Sequence, residues 1–494
     1  MAAVTSPGIA AKPAGEPQSL DDLFLDAKPA AEKDPASLDD LFVKTVPPEP
    51  EPGKEPASLD DLFLDKDVAQ PAPGTTQPAA PTEAAAGIRS AVAKQDGGQT
   101  KITGFYQNRL AYTYAKPRHW SKFENTLDVS ATGRSGGVAW KLGGQLNYDP
   151  IYDLTDFYPS RVRDDQRLQA DIREAYMDFN LDDWEFRLGR QHIIWGEMVG
   201  LFFADVVSAK DLREAGLREF DMTRLPQWAA RAEYFMGDFH GELVWIPHMT
   251  YNDIGKPGSE FYPFMPPPGI TANILSEDQP KGLDDSAYGT RLSYLKDGWD
   301  MALFFYSSND SSPAFERVAV AGSVVTFRPI HKRIQQWGLT TSKDLGSMVL
   351  KTEAVYTSGK QMYTSDPADA DGLVAQNALN YIVGLEWSFP QETRFNVQFY
   401  QQRIPGRKSD LLVDKVESGL SFNHVSKALH PRLETDVRLF SSLDHRDWLA
   451  QFKMNWRMDG NWRASFGVDV FSGDFLFGQY GDRDRVYTEV RYTF

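Results

Sequence analysis

VAWKLGGQLNY, residues 138–148, alternates between two kinds of side chain along its whole length. One set of positions reads Val, Trp, Leu, Gly, Leu and Tyr, and the positions between them read Ala, Lys, Gly, Gln and Asn. A period of two residues is typical of a β-strand with one apolar and one polar face. The pattern recurs at 395–400 and 448–457. By itself it fits either a soluble β-sandwich or a membrane β-barrel.

The connectors between such segments decide between the two folds. Strands are predicted at 101–115, 120–133, 137–148, 168–180, 183–193, 226–236, 238–247, 286–295, 299–307, 332–343, 348–358, 379–389, 392–403, 414–425, 432–441, 446–457, 461–471 and 484–494. Every second connector is a tight turn, whereas most of the others are long, such as 149–167, 194–225 and 248–285. This alternation of short turns and long loops is typical of an outer-membrane barrel with its long loops outside the cell. We therefore predict an all-β fold at 98–494, a transmembrane antiparallel up-and-down β-barrel of about 18 strands, with 16 as the alternative.

Composition excludes several function classes. The chain has 494 residues, a formal net charge of −17 and no cysteine, which excludes disulfides and thiolate metal sites. It has no basic cluster with interleaved aromatics, so nucleic acid is not an expected partner. No apolar run approaches the about 18–20 residues of a membrane-spanning helix. The first residues lack the basic and apolar stretches of a secretory signal, which leaves open whether a leader was removed.

The segment 1–97 differs from the rest of the chain. It is rich in Pro, Ala, Asp and Glu, and it repeats the phrase SLDDLF at 19–24, 37–42 and 58–63. Such a composition predicts a disordered periplasmic tail. Each serine is a good helix cap, and the apolar residues of each repeat would share one helical face. Since so short a helix is unstable alone, the repeats are expected to fold when they dock a periplasmic or inner-membrane partner, through Leu20, Leu23, Phe24, Leu38, Leu41, Phe42, Leu59, Leu62 and Phe63. A duplicated spacer without a partner is the alternative.

Aromatic residues mark the membrane boundaries and the end of the chain. Tryptophans fall near predicted turns or strand ends, as in the interface belts of membrane proteins, at Trp184, Trp228, Trp245, Trp387, Trp448, Trp456 and Trp462. These belts would contact outer-membrane lipid. The last strand places Val490, Tyr492 and Phe494 on one face. This ending resembles the signal read by the barrel-assembly machinery of Gram-negative bacteria, which places the protein in the cell outer membrane.

The long connector after the fifth strand is the candidate functional segment. Phe202, Phe203, Val206 and Val207 are too apolar to face water, so this loop is expected to fold inward onto the barrel wall. It would then form a charged constriction with the strand end that precedes it, through Arg190, Gln191, Trp195, Glu197, Asp205, Lys210, Asp211, Arg213 and Arg224. The alternative is a solvated outer loop in which Arg190 and Glu197 pair to hold the strand end.

The run GRQHIIWGE, residues 189–197, also carries a resemblance. It resembles the proteobacterial outer-membrane barrels of a domain of unknown function, which have Gly-Arg-Gln followed shortly by Trp-Gly-Glu. More distantly, the chain is similar to alginate-export barrels, although its predicted lumen mixes acidic and basic residues where theirs is arginine-lined. The resemblance implies a porin-like channel that works beside an inner-membrane pump of the resistance-nodulation class or a periplasmic lipid carrier. Such a pump or carrier is therefore the expected partner of the repeats.

Catalysis is not expected. Among eight histidines, His192 lies in the predicted fifth strand, His248 at a strand end and His331 beside a proline-containing loop, but none has a serine or aspartate at a spacing that indicates a catalytic pair. We predict no enzyme activity, no cofactor and no metal. The expected function is a pore for transport or export of a small or lipid-like solute. A plugged barrel that anchors a partner-binding tail, or a polysaccharide-export pore, is the alternative.

Overall fold

The computed structural model describes residues 100–494, apart from residues 216, 265, 267, 268 and 367. The predicted tail at 1–97, with its three repeats, lies outside the described residues.

Eighteen antiparallel strands form one closed barrel, as predicted. They are β1 (Lys101–Thr113), β2 (His119–Ser135), β3 (Val138–Tyr148), β4 (Leu168–Leu181), β5 (Trp184–Gln191), β6 (Gln227–Met236), β7 (Phe239–His248), β8 (Ala287–Lys296), β9 (Trp299–Asn309), β10 (Arg333–Asp344), β11 (Val349–Tyr363), β12 (Leu373–Phe389), β13 (Thr393–Arg403), β14 (Val416–His430), β15 (Leu433–Ser442), β16 (Asp447–Arg457), β17 (Trp462–Gly473) and β18 (Arg485–Thr493). Each strand pairs with its neighbours in sequence, and β18 pairs with β1 from Thr493↔Phe105 to Arg485↔Thr113 to close the seam. The barrel therefore has no free strand edge.

The two ends of the barrel differ, because tight turns close one and most long loops lie at the other. At the short-turn end, Asp182 and Asp297 adopt left-handed backbone conformations, with φ of 51° at both. Aspartate tolerates this region better than most residues.

The long-loop end contains secondary structure that the sequence analysis did not predict. A three-stranded sheet of Thr271–Ile274, Ala314–Ala321 and Val324–Ile330 occupies segments that were expected to be plain loops. Short helices occur at Ile151–Leu154, Ser160–Gln166 and Phe220–Thr223, with single 3₁₀ turns at Leu283–Asp285 and Gly478–Tyr480. Within the described part of the chain, no helix is long and apolar enough to cross a membrane.

The distribution of polar and apolar side chains is the reverse of that in a soluble protein. Leu142 and Leu303 are 57% and 61% exposed on the outer surface, whereas Gln398 and Glu353 on the inner face are fully buried. The segment 138–148 shows the same distribution, since its leucines face outward and its polar residues Gln145 and Asn147 are buried on the inner face. An apolar exterior around a polar interior is the arrangement that a lipid bilayer requires. The sandwich alternative is thereby excluded.

Glycines on the inner wall lie beneath aromatic rings of the adjacent strand. A Cβ atom added to Gly338 would lie 1.9 Å from the ring of Phe304, its direct cross-strand partner. Two further pairs share this arrangement: Gly419 with Tyr400, and Gly467 with Tyr487. Each ring covers backbone that the glycine leaves bare, so the two residues together fill the space of one large side chain.

Candidate functional site: a loop inside the barrel

The connector between β5 and β6, residues 192–226, enters the barrel and is named here the lumen loop. Its first part packs on an apolar cluster of the inner wall, where Ile193, Trp195 and Val207 are buried. The Trp195 ring lies 5.2 Å from Phe304 and 5.9 Å from Tyr306, measured between ring centroids. Burial of these side chains gives the loop a reason to leave solvent, as the apolar pattern predicted.

The side chain of Glu353 on β11 binds backbone N–H groups in the next part of the lumen loop. One carboxylate oxygen accepts the N–H groups of Glu197 at 2.7 Å and Met198 at 3.0 Å. The other oxygen accepts those of Phe203 at 2.7 Å and Ala204 at 2.8 Å. The carboxylate is fully buried, and the four backbone hydrogen bonds that it accepts offset the cost of removing its charge from water. The same hydrogen bonds fix both ends of the turn 197–204.

Glu197 lies on the same side of the lumen. Its carboxylate accepts hydrogen bonds from the Arg291 guanidinium and the Thr340 hydroxyl, each at 3.2 Å. Burial raises the pKa of Glu197 to about 7, the nearby Asp300 carboxylate adds to this effect, and Arg291 opposes it. The group therefore changes charge close to neutral pH.

The middle of the lumen loop is held by an internal ion pair. Arg224 donates to the Asp205 carboxylate at 2.9 Å, and Lys210 donates to the Asp205 carbonyl at 3.2 Å. Both cationic groups lie 5.2 Å from the centroid of the Phe202 ring. Asp205, Lys210 and Arg224 thus shape the loop itself.

Glu214 is the centre of a buried ionic cluster that spans the barrel seam. Its carboxylate accepts hydrogen bonds from Arg109 on β1, from Arg218 at 2.8 Å and from Arg485 on β18 at 3.0 Å. The Lys122 ammonium lies 3.6 Å away. Burial alone would raise the pKa of Glu214, but the four cations outweigh it and hold the pKa well below its usual range. The carboxylate is therefore charged at neutral pH and ties the loop to three strands.

A second carboxylate extends the Glu214 cluster within the lumen loop. Asp211 accepts two hydrogen bonds from Arg213, at 2.7 and 2.5 Å, and lies 3.4 Å from Arg218. Burial acts to raise the pKa of Asp211, but the two guanidinium groups lower it to about 2. Arg218 also binds Glu124 on β2. Positive and negative groups thus alternate from the loop to the wall.

Glu219 makes the third attachment, nearer the short-turn end. Three cations on adjacent strands converge on its carboxylate: Lys453 at 3.0 Å, Arg463 at 2.8 Å and Arg491 at 3.0 Å. Burial opposes ionisation, but these cations hold the pKa of Glu219 well below its usual range. A small cavity of about 30 Å³ lies beside it and is bordered also by Asp436 and other charged residues.

The predicted constriction residues fall into two groups. Glu197, Asp205, Lys210, Asp211, Arg213 and Arg224 lie together on the lumen loop, mostly in ion pairs. The other three serve the wall: Trp195 is part of the apolar cluster, Gln191 is fully buried and donates to the Ala229 carbonyl at 3.0 Å, and Arg190 donates to the Ile172 carbonyl at 2.6 Å. Arg190 and Glu197 therefore have separate partners, which removes the alternative in which they pair.

Some residues of the site were not among the predicted constriction residues. Glu353, Arg109 and Arg485 are absent from that set. The two-residue alternation along each strand is enough to place all three residues on the inner wall. Only the path of the lumen loop shows that their side chains bind the loop. The C-terminal Val490 and Phe494 face outward, and Tyr492 shares their face.

His192, His248 and His331 lie at or just beyond strand ends. His192 lies just past the end of β5, and burial lowers its pKa to about 3. His248 contacts the Lys281 carbonyl at 3.1 Å, and His331 contacts Glu277 at 2.7 Å. Among residues 100–494, as far as they are described, no group of three or more His, Asp or Glu side chains could hold a metal ion.

Comparison with protein families gives a match over residues 118–494 to DUF1302, described as a protein of unknown function. The chain belongs to this family. The match begins just before β2 and includes the lumen loop and every later strand. No curated protein matches the chain by sequence.

Several solved structures superpose on this DUF1302 chain at low sequence identity. Acinetobacter baumannii OccAB4 superposes with a TM-score of 0.50 at 10% identity, covering 81% of this chain and 99% of that one. Pseudomonas aeruginosa OccK8 (OprE) gives 0.48 at 9% identity, covering 80% and 98%. Salmonella typhi OmpF, in a complex with daunomycin, gives 0.41 at 9% identity, covering 81% and 98%. The superposition on OccAB4 shows that the DUF1302 chain shares its barrel fold.

Proposed function

We propose that this protein is a narrow outer-membrane channel for a small or lipid-like solute, and that the lumen loop is its constriction. A barrel of 18 strands has an interior wide enough for an aqueous passage. The observation that carries the proposal is the attachment of one loop to opposite parts of the inner wall. Glu353 holds it from β11, while Glu214 and Glu219 bind cations on strands at and beside the seam.

The ionic attachments indicate how such a constriction would select among solutes. Because Glu214 and Glu219 are surrounded by cations of the wall, the charges mostly cancel instead of forming a ladder of one sign. Selection would then depend on the width left beside the loop and on local charge, and less on a field along the whole lumen. This argues against a pore for a long polyanion.

A closed barrel that anchors the tail is the second candidate, and the attachment of the lumen loop to the inner wall through Glu353, Glu214 and Glu219 favours it, because the loop occupies part of the lumen. In either case we propose that the SLDDLF repeats dock a periplasmic or inner-membrane partner, a pump or a lipid carrier. Binding of repeat peptides to periplasmic extracts, with both leucines and the phenylalanine changed to serine as the control, would test the docking separately.

Single-channel recording of the full-length protein in planar bilayers distinguishes channel from anchor. We expect discrete open steps from the wild type. In Glu219→Gln, the reversal potential under a salt gradient should shift toward anion preference, because Lys453, Arg463 and Arg491 lose a counter-charge. Asp238→Asn, at an exposed turn, is the matched control and should not shift it. Silence from folded wild-type protein would establish the anchor instead, and an unchanged reversal potential in Glu219→Gln would remove the loop from the conducting path.

A further inference from the structure

A large apolar cavity lies among the long loops, above the lumen loop. Its volume is about 890 Å³, within the range of about 300–1,000 Å³ that is usual for small-molecule sites. The wall is formed by the three-stranded sheet of the long-loop end together with segments near Ile254, Leu412 and Leu476. We name it the vestibule pocket.

The aromatic wall of the vestibule pocket is already packed in one arrangement. Phe264 stacks on Phe315 with ring centroids 4.3 Å apart, and its ring meets Phe327 edge-on at 4.9 Å. Ile254 and Phe315, which both line the pocket, are buried. A wall held by such contacts is preorganised, so a ligand would not have to order it.

The apolar character of the vestibule pocket is not explained by the membrane, because its lining residues belong to the connectors between barrel strands, apart from Tyr363 at the end of β11. Leu412 and Leu476 line it and are 65% and 55% exposed. Large apolar side chains gathered in a concave surface outside the bilayer are typical of a binding site.

Two charged groups that line the vestibule pocket, Arg317 and Asp371, are engaged within the protein. The Arg317 guanidinium binds the Asp369 carbonyl, and the Asp371 carboxylate accepts the Leu373 N–H at 3.0 Å. With few polar atoms available, the pocket suits a molecule that is mostly hydrocarbon with a single polar end. It suits a sugar polymer poorly, because each hydroxyl group would need a partner.

Leu212 connects the vestibule pocket to the lumen loop. It lines the pocket, and its chain neighbours are Asp211 and Arg213, which are joined to each other and through Arg218 to Glu214. A molecule in the pocket therefore rests on the segment that occupies the lumen.

We propose that the vestibule pocket binds a small, mainly apolar molecule with one polar end, and that this is the solute class that the protein handles before the lumen. This inference rests on the proposed channel for its place in transport, but the binding itself does not depend on conduction.

The test uses full-length protein in lipid nanodiscs with a dodecanoic acid that carries a diazirine at its terminal carbon. After photolysis, labelled residues are mapped by mass spectrometry. We expect saturable labelling within 254–270 and 312–327, reduced about tenfold in Leu476→Asp, because a carboxylate in the pocket costs about 1.4 kcal/mol or more of apolar binding. Leu283→Asp is the matched control, since Leu283 is 65% exposed on a loop at the same end but does not line the pocket. Labelling of lipid-facing strands should persist in both variants and shows that each is folded.

The outcomes separate this inference from the channel proposal. Labelling confined to lipid-facing strands, or pocket labelling that is unchanged in Leu476→Asp, would overturn the pocket as a binding site even if the same preparations conduct. Saturable pocket labelling in a protein that never opens would support the pocket and leave the channel proposal refuted.

Discussion

Replacing Glu353 by glutamine should release the turn 197–204 from the barrel wall. The amide group of glutamine has one oxygen, so it can accept only two of the four backbone N–H groups that the carboxylate now accepts. Its NH₂ group would face the other two donors. A hydrogen bond to a charged group contributes about 1.5–3 kcal/mol, so the loss of two weakens docking of the turn by about 3–6 kcal/mol.

Hydrogen exchange measures this loss directly. If the turn opens locally, 3–6 kcal/mol corresponds to exchange that is about 100- to 20,000-fold faster at the amides of 197, 198, 203 and 204. Glu242→Gln is the matched control, because Glu242 is also a buried carboxylate of the inner wall, with Arg231 at 3.9 Å as its ionic neighbour. If exchange in Glu353→Gln equals that in the control, the carboxylate does not hold the loop and the reasoning is refuted.

Three other predictions concern pH, packing and assembly. Because the pKa of Glu197 rises from 4.5 to about 7, its protonated form contributes stability that is complete below pH 4.5 and lost as pH rises through about 7. Urea unfolding midpoints in vesicles should therefore reveal a loss of about 3 kcal/mol over this pH range in the wild type and none in Glu197→Gln. Equal pH dependence in the two proteins would contradict the burial argument. Gly338→Ala should destabilise the barrel by about 1–3 kcal/mol through collision with Phe304, whereas Gly137→Ala, with open space around it, should be neutral in the same unfolding assay. Phe494→Ala should lower the yield of folded barrel in cells but not refolding in detergent, and equal losses in both would identify a stability defect instead of a lost assembly signal.

The strands could be predicted from sequence because period two and turn chemistry are local signals. Alternation along β11 and β13 is enough to place Glu353 and Gln398 on the inner face. The sheet at 314–330 was missed because it was treated as part of a long loop, although its alternation and the glycine at 322 are typical of a hairpin. Its third strand, Thr271–Ile274, pairs in parallel from a distant segment, and such a pairing leaves no local signal.

The site could be predicted only in outline. Apolar residues such as Val207 correctly indicated that the loop folds inward. Which charged residues meet depends on the path of the loop across the lumen, so the partners of Glu214 could not be deduced. Trp195 and Gln191 were assigned to the constriction because they lie in the motif, yet the packing at the end of β5 buries both in the wall.

The cluster around Glu214 has a consequence for the order of folding. Arg109 and Arg485 come from the first and last strands, and they become neighbours only when β1 pairs with β18. Until then the Glu214 carboxylate lacks two of its cations, and burying it would cost several kcal/mol. The lumen loop should therefore settle last. Closure of the barrel and docking of the lumen loop would therefore occur together. A partly assembled barrel would have an open sheet edge and no loop in its interior, and only the closed barrel would contain the docked loop.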